Sequence, residues 1–331
     1  MRTGIWAALA AAAIGGAALA QERAPLPPEC RQQIMALCQS RMGGGMRACV
    51  RTALPQLSDD CRKAVSDRAA QAQALPPGMR EVAYGPDVKQ KLDYTRPAGA
   101  AKAPILLFIH GGGWAIGDKR HASAPKAAHF SERGWAYASI NYRLVPSATV
   151  EQQAADVAAA IAWLRANASA NHLDADRIVL MGHSAGAHLA ALVATDPSYL
   201  AAAKVPMSAV DGVVLLDGAG YDVPAQMASP RNVAAAMYAA AFGTDPARHA
   251  RLSPTRHAAA PNVANWLILP VAHRPDSNAQ SRGLAAALSR AGAKADVVPV
   301  PNESHGSLNR GLGEAGDFAT ARVDAFLAAL H

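Results

Sequence analysis

Beyond residue 100, short apolar runs alternate with longer stretches in which apolar residues recur every three or four positions. The runs at 105–109, 136–141, 178–181, 213–216, 267–271 and 297–300 are too short for helices and predict buried strands. The stretches at 125–132, 150–166, 185–195, 279–291 and 315–330 carry the helical period. Ahead of them, 82–84 and 90–94 flank the breaker Gly85-Pro86-Asp87 and predict an antiparallel pair. Apolar strands alternating with helices predict an α/β fold: a mostly parallel sheet with helices on both faces. The pattern starts near residue 80, so a domain is expected over 80–331.

The first part of the chain reads differently. Arg2, an apolar stretch over 5–18 and the small-x-small Ala18-Leu19-Ala20 predict a signal peptide over 1–20. That stretch is short against the ~20 residues of a membrane span, so export to the periplasm or outside the cell is expected, with no stable membrane anchor after cleavage. An uncleaved anchor is the rival. All four cysteines, Cys30, Cys38, Cys49 and Cys61, fall within 21–68. An even, clustered count in an exported chain predicts disulfides. The segment has no C-x-x-C pair and no His, which argues against a metal site. Helical patterns at 31–39 and 46–52 flank Gly43-Gly44-Gly45, and Cys30 and Cys38 lie about two turns apart. A hairpin of these helices would pair Cys38 with Cys49 near its turn and Cys30 with Cys61 at its open end; the other two connectivities remain open. The C…LC…C…C spacing resembles the short cysteine-rich repeat of exported and Golgi-type proteins, which implies no chemistry. Residues 69–79, with Pro76-Pro77-Gly78, read as a linker.

Composition narrows the classes. With 51% apolar residues, 331 residues can bury a large core. The net charge of +7 is scattered, without a run of five Lys or Arg, and gives no nucleic-acid footprint.

The chemistry-bearing words lie at strand ends. Gly182-His183-Ser184-Ala185-Gly186 joins an apolar strand to an Ala/Leu-rich helix and is a G-x-S-x-G turn, which lifts a serine hydroxyl above a sheet. Ser184 is the candidate nucleophile. His110-Gly111-Gly112-Gly113-Trp114 follows the first parallel strand, where successive glycines let main-chain N–H groups approach a developing oxyanion. The candidate donors are Gly112, Gly113 and Ala185. A serine needs a general base, and His305 follows the last strand, as the order Ser, acid, His requires. Asp276, after 267–271, is the expected acid, with Glu303 as runner-up. Residues 217–262 are long for a crossover and are expected to form a small cap, with Trp114 and Tyr221 on the pocket wall; an ordinary surface excursion is the alternative.

From about residue 82 onward the chain resembles α/β-hydrolase-fold carboxylesterases, in the group spanning feruloyl-esterase-like, acetyl-esterase-like and kynurenine-formamidase-like enzymes. The resemblance rests on His110–Trp114, Gly117-Asp118, Asn141-Tyr142-Arg143-Leu144, Gly182–Leu189 and Arg274-Pro275-Asp276-Ser277 before His305. It implies the α/β-hydrolase fold and a Ser184–Asp276–His305 triad. It further implies a small-molecule ester as substrate, and neither metal nor cofactor. The chain departs from the group's pattern at the acid, where Ala272–Pro275 stand in for the usual G-x-x-D. Amide or formamide cleavage on the same triad, and a non-catalytic binding protein on this fold, are the alternative functions.

Overall fold

A computed structural model describes residues 26–38, 46–229, 234–259 and 261–330. The expected signal peptide lies outside the described residues. The chain divides into two compact units between Arg68 and Ala69.

In the first unit, α1 (Pro28–Cys38) and α2 (Met46–Ala53) are followed by α3 (Asp59–Gln73), whose residues from Ala69 onward already belong to the second unit. Cys30 is bonded to Cys61 and Cys38 to Cys49. Helix α3 has no counterpart in the apolar pattern because its sequence is largely polar. Its start is set by Ser58, whose hydroxyl accepts from the Cys61 amide at 3.4 Å, and by Asp59 and Asp60 at the positive end of the helix dipole. The helix continues through 69–73, so the first part of the expected linker is helical. The unit's core is small, built around Cys30, Ile34, Leu57 and Cys61. Bridges closing spans of 31 and 11 residues supply what so little apolar surface does not, typically ~2–4 kcal/mol each.

The second unit begins with β1 (Arg80–Ala83), β2 (Lys91–Tyr94), β3 (Ala103–Ile109), α4 (Ser123–Glu132), β4 (Ala136–Ile140) and α5 (Val150–Ala166). Then come β5 (Leu173–His183), α6 (Ala185–Thr195), α7 (Pro197–Ala202) and β6 (Val210–Leu216). Three short helices follow, α8 (Val223–Met227), α9 (Ala235–Phe242) and α10 (Pro246–Arg251). The chain ends with β7 (Asn265–Leu269), α11 (Pro275–Arg290), β8 (Lys294–Val297), α12 (His305–Gly311) and α13 (Phe318–Ala328). The strands form one eight-stranded sheet in the order β1-β2-β4-β3-β5-β6-β7-β8. Pairing is antiparallel up to β2–β4 and parallel from there on.

Alternation along the central strands explains their unbroken apolar runs. Ile105, Leu107 and Ile109 of β3 face one core with α5 and α6, while Leu106 and Phe108 face the other with α4 and α13. The edge strand β8 alternates between exposed and half-buried positions. The apolar signal at 297–300 therefore lies mostly beyond it, where buried Val300 makes an isolated bridge to Val271. This strand order, with helices on both faces, is the α/β-hydrolase fold.

Each unit has its own core, and every residue of the site described below follows residue 109. A chain shortened to begin at Gly78 is therefore expected to fold and keep close to the full-length rate on small esters. Comparing melting curves and ester turnover checks this; an insoluble or inactive shortened chain would show that the helical unit is required.

Candidate active site

The parallel strands β3, β5 and β6 run side by side and end together: Ile109 pairs with Gly182, and His183 with Leu216. Whatever follows these pairs gathers at one edge of the sheet, where ligands of open α/β sheets bind.

Ser184 stands between the last residue of β5 and the first of α6, with φ 56° and ψ −121°. A non-glycine residue there stores roughly 1–3 kcal/mol of strain, so the surroundings must enforce the turn. A Cβ on Gly186 would run into the carbonyl of Ile109, and one on Gly182 into the carbonyl of Gly186. These glycines let strand, turn and helix close on one another. The Ser184 amide donates to Leu216 O at 3.0 Å and ties the turn to β6.

His305 opens α12, which is capped by reciprocal Ser304 and Ser307 hydrogen bonds. Its Nε2 lies 3.0 Å from Ser184 Oγ and its Nδ1 lies 2.6 Å from Asp217 Oδ2. An ionised carboxylate only accepts, so the consistent arrangement has Nδ1–H donating to Asp217 and the serine hydroxyl donating to Nε2. Asp217 follows β6 directly, and its carboxylate is fully buried. Its amide donates to Leu269 O at 2.9 Å, and its Oδ1 accepts from the Val271 amide at 3.0 Å. Arg274 Nη1 makes an ion pair with Oδ2. Burial pushes this carboxyl up, but the His305 hydrogen bond, the Arg274 charge and the Val271 amide together hold it well below the ordinary carboxylate range.

His183 lies beneath His305, with ring centroids 4.5 Å apart. Burial, and then the neighbouring His305, lower its pKa to about 3, so the ring is neutral at ordinary pH. Its Nε2 is 2.8 Å from the His305 carbonyl oxygen, so the proton sits on Nε2 and donates there. The main chain of His305 is thereby fastened to the strand that carries Ser184.

Among the described residues, the amides of Gly112, Gly113 and Ala185 have no backbone acceptor. Ala185 is the first residue of α6, where such orphan donors are expected. The glycine loop is held from behind. Tyr142 stacks on His110 at 4.4 Å and donates its hydroxyl to His110 O at 2.8 Å. Trp114 O accepts from Gln153 Nε2 at 2.8 Å and from the Val145 amide at 3.0 Å. Met237 of α9 rests its side chain directly on Gly113 and stays partly exposed.

Of the residues expected from sequence, Ser184 and His305 come together, but Asp276 does not join them. The helix expected from residue 279 begins at Pro275, with Asp276 in its first turn. Proline at a first helical position and an acid beside the positive end of the dipole explain this start. Nδ1 of His305 meets Asp217 instead. Glu303, the runner-up, is likewise not on that nitrogen. Trp114 and Tyr221, expected on the pocket wall, are 2% and 0% exposed and belong to the hydrophobic core. The Trp114 ring packs against His188 of α6 and against Tyr238 and Phe242 of α9, with centroids 5.4, 5.5 and 4.8 Å away. It anchors α9 over the glycine loop. Sequence reasoning missed Asp217, Arg274, His183 and Met237. For Asp217 a signal existed: it immediately follows a parallel strand and precedes His305, as the chain order of this fold asks.

Comparisons with known proteins agree with the architecture. The BD-FAE family matches residues 92–212. Esterase LipQ of Mycobacterium tuberculosis is 41% identical over 118 residues, which is 34% of this chain and 28% of that protein. Esterase LipC of the same organism is 37% identical over 147 residues, 42% of this chain and 36% of that protein. A probable isoprenylcysteine alpha-carbonyl methylesterase of Arabidopsis thaliana is 36% identical over 111 residues, 33% of this chain and 26% of that protein. The chain thus spans about a third or less of the length of these relatives. Among solved structures, esterase B of Lactobacillus rhamnosis aligns with TM-score 0.62 at 21% identity, covering 86% of this chain and 95% of that one. Esterase 2 of Thermogutta terrifontis aligns with TM-score 0.59 at 24% identity, covering 76% and 92%. Both share the α/β-hydrolase fold.

Proposed function

We propose that this chain is a serine hydrolase of carboxylic esters, with Ser184 as nucleophile, His305 as general base and Asp217 as the orienting acid. The observation that carries this reading is the hydrogen-bonded line Ser184 Oγ–His305 Nε2 and His305 Nδ1–Asp217, at 3.0 and 2.6 Å. The esterase names of the relatives support the same reading, and so do the acceptor-free amides beside Ser184.

The chemistry follows from the geometry. Ser184 Oγ attacks the ester carbonyl while its proton passes to His305 Nε2. The amides of Gly112, Gly113 and Ala185 are the donors for the tetrahedral oxyanion. Asp217 accepts from Nδ1–H throughout, keeps the imidazole in the tautomer that leaves Nε2 free to accept, and stabilises the imidazolium without taking its proton. The proton on Nε2 then goes to the departing alkoxide, giving an alcohol and an acyl-serine. Water, deprotonated by the same nitrogen, attacks the acyl carbon; the bond to Ser184 Oγ breaks, Nε2 returns its proton to that oxygen, and the carboxylic acid leaves. Export is part of the proposal: two disulfides within 30–61 are the chemistry of an oxidising compartment. Among the described residues no helix is long and apolar enough to cross a membrane.

A fluorophosphonate probe tests the assignment. The expected result is one covalent adduct, mapped to the peptide containing Ser184, together with turnover of at least one member of a panel of short-chain, aromatic and acetylated esters. Absence of labelling with no ester turned over would make the chain a binding protein on this fold.

A further inference from the structure

The site contains a cation that the reaction scheme does not use. Arg274 Nη1 makes an ion pair with Asp217 Oδ2 and stands 2.8 Å from His305 Nδ1. His305 Nδ1 is itself 2.6 Å from that same oxygen. Guanidinium and imidazole are both donors here, and both converge on one carboxylate oxygen. We propose that Arg274 is a positioning residue that shares Oδ2 of Asp217 with His305 and thereby sets the acid limit of the enzyme's activity. This inference rests on the Ser184–His305–Asp217 reading.

Its physical content is an opposition of charges. During attack His305 becomes an imidazolium, which the Asp217 carboxylate favours. A fixed guanidinium beside Nδ1 cancels part of that field, because the Asp217–Arg274 pair is close to neutral. The guanidinium thus opposes the positive charge that His305 gains when it takes the serine proton. The same contact has a cost in tautomers. With Nδ1 bare, Arg274 could donate to it while Nε2–H faces Ser184, which is an unproductive arrangement. Asp217 opposes this by presenting an acceptor that only Nδ1–H satisfies.

The other charged and titratable groups around His305 do not supply this effect. His183, from β5, is neutral and touches the His305 carbonyl rather than the outer ring nitrogens. Arg310, on α12 itself, lies against Gly306 and is exposed. Glu303 precedes the helix and is half-buried. Lys126 of α4 donates to the Asn309 and Ala122 carbonyls. Arg274 and Asp276, the latter in the first turn of α11, both act on the Tyr238 hydroxyl with opposite sign. Arg274 is the cation on Nδ1. Its side chain is 36% exposed, so exchanging it leaves the core intact.

The test is the pH profile of kcat/KM on p-nitrophenyl acetate for the wild type, R274Q, R274M and R274K, each verified by its melting curve. In the two neutral variants the acid limb should move to higher pH by about one unit, the size expected for a nearby but partly screened charge. KM should stay within a few-fold, and R274K should keep the limb near the wild-type position at a lower plateau. Having two neutral replacements of different shape guards against a folding defect in one of them. Acid limbs in R274Q or R274M that coincide with the wild type would overturn the proposal. So would a raised KM with an unmoved limb, which would make Arg274 a substrate-binding group. Failure of the triad reading looks different: Ser184→Ala would then retain activity, or Asp217→Asn would be mild, whatever the Arg274 variants do.

Discussion

Asp217→Asn is expected to lower kcat on a simple ester by about four orders of magnitude, while Asp276→Asn changes it by no more than a few-fold. The asymmetry comes from what each carboxylate touches. Asp217 Oδ2 accepts from His305 Nδ1 at 2.6 Å, and an amide at that position can present N–H instead of oxygen. That would turn the imidazole to the tautomer whose protonated Nε2 can take nothing from serine. Asp276 lies in the first turn of α11, where losing its charge removes a favourable dipole interaction of at most ~1 kcal/mol. Steady-state rates of the two variants, measured side by side with melting curves, decide the matter. A severe loss in Asp276→Asn with a mild one in Asp217→Asn would reverse the assignment.

Ser184→Ala should reduce turnover further, by up to about six orders of magnitude, and should abolish fluorophosphonate labelling. Removing the hydroxyl leaves the amides of Gly112, Gly113 and Ala185 in place, so weak catalysis through bound water is the floor. The protein should not be destabilised. Ser184 Oγ has one described partner, His305 Nε2, and the strained backbone at φ 56° is enforced by the contacts of Gly182 and Gly186 rather than by the side chain. Activity in Ser184→Ala beyond a contaminating trace would place the nucleophile elsewhere.

What could be read from the sequence, and what could not, divides along physical lines. The turn that carries the proposed nucleophile is written in local words, because the close approach at Gly182 and Gly186 is a short-range requirement that leaves a short-range signature. The proposed base, His305, follows the last apolar run, even though β8 itself ends at Val297, ahead of where hydrophobicity put it. The proposed acid, Asp217, carried a signal that did not separate it from Asp276, since each follows a parallel strand and precedes His305. Residues just beyond the ends of β6 and β7 both approach His305, since these strands are parallel neighbours. Asp217-Gly218-Ala219-Gly220 reads as the start of a loop, and Arg274-Pro275-Asp276 reads as an acid after a strand. Only three-dimensional placement shows that the second is a helix start. Helix α3 escaped for the opposite reason. Its faces are too polar for periodicity, and the disulfide at Cys61 does the packing that an apolar stripe would otherwise do.

The way Asp217 is suspended between the ends of two strands has a consequence for how this protein can change. Its amide takes the Leu269 carbonyl and its Oδ1 takes the Val271 amide, so the side chain acts as one more rung of the β6–β7 ladder. Ser184 and Asp217 each stand one step beyond the terminal rung His183–Leu216. The spacing of the proposed triad is thus set by strand register. Inserting or deleting one residue in β5 or β6 would throw serine or aspartate to the opposite face of the sheet. The three helices between β6 and β7 carry no such constraint. They begin after the aspartate and end before β7, so a change of length there does not shift Ser184 or Asp217 along the sheet.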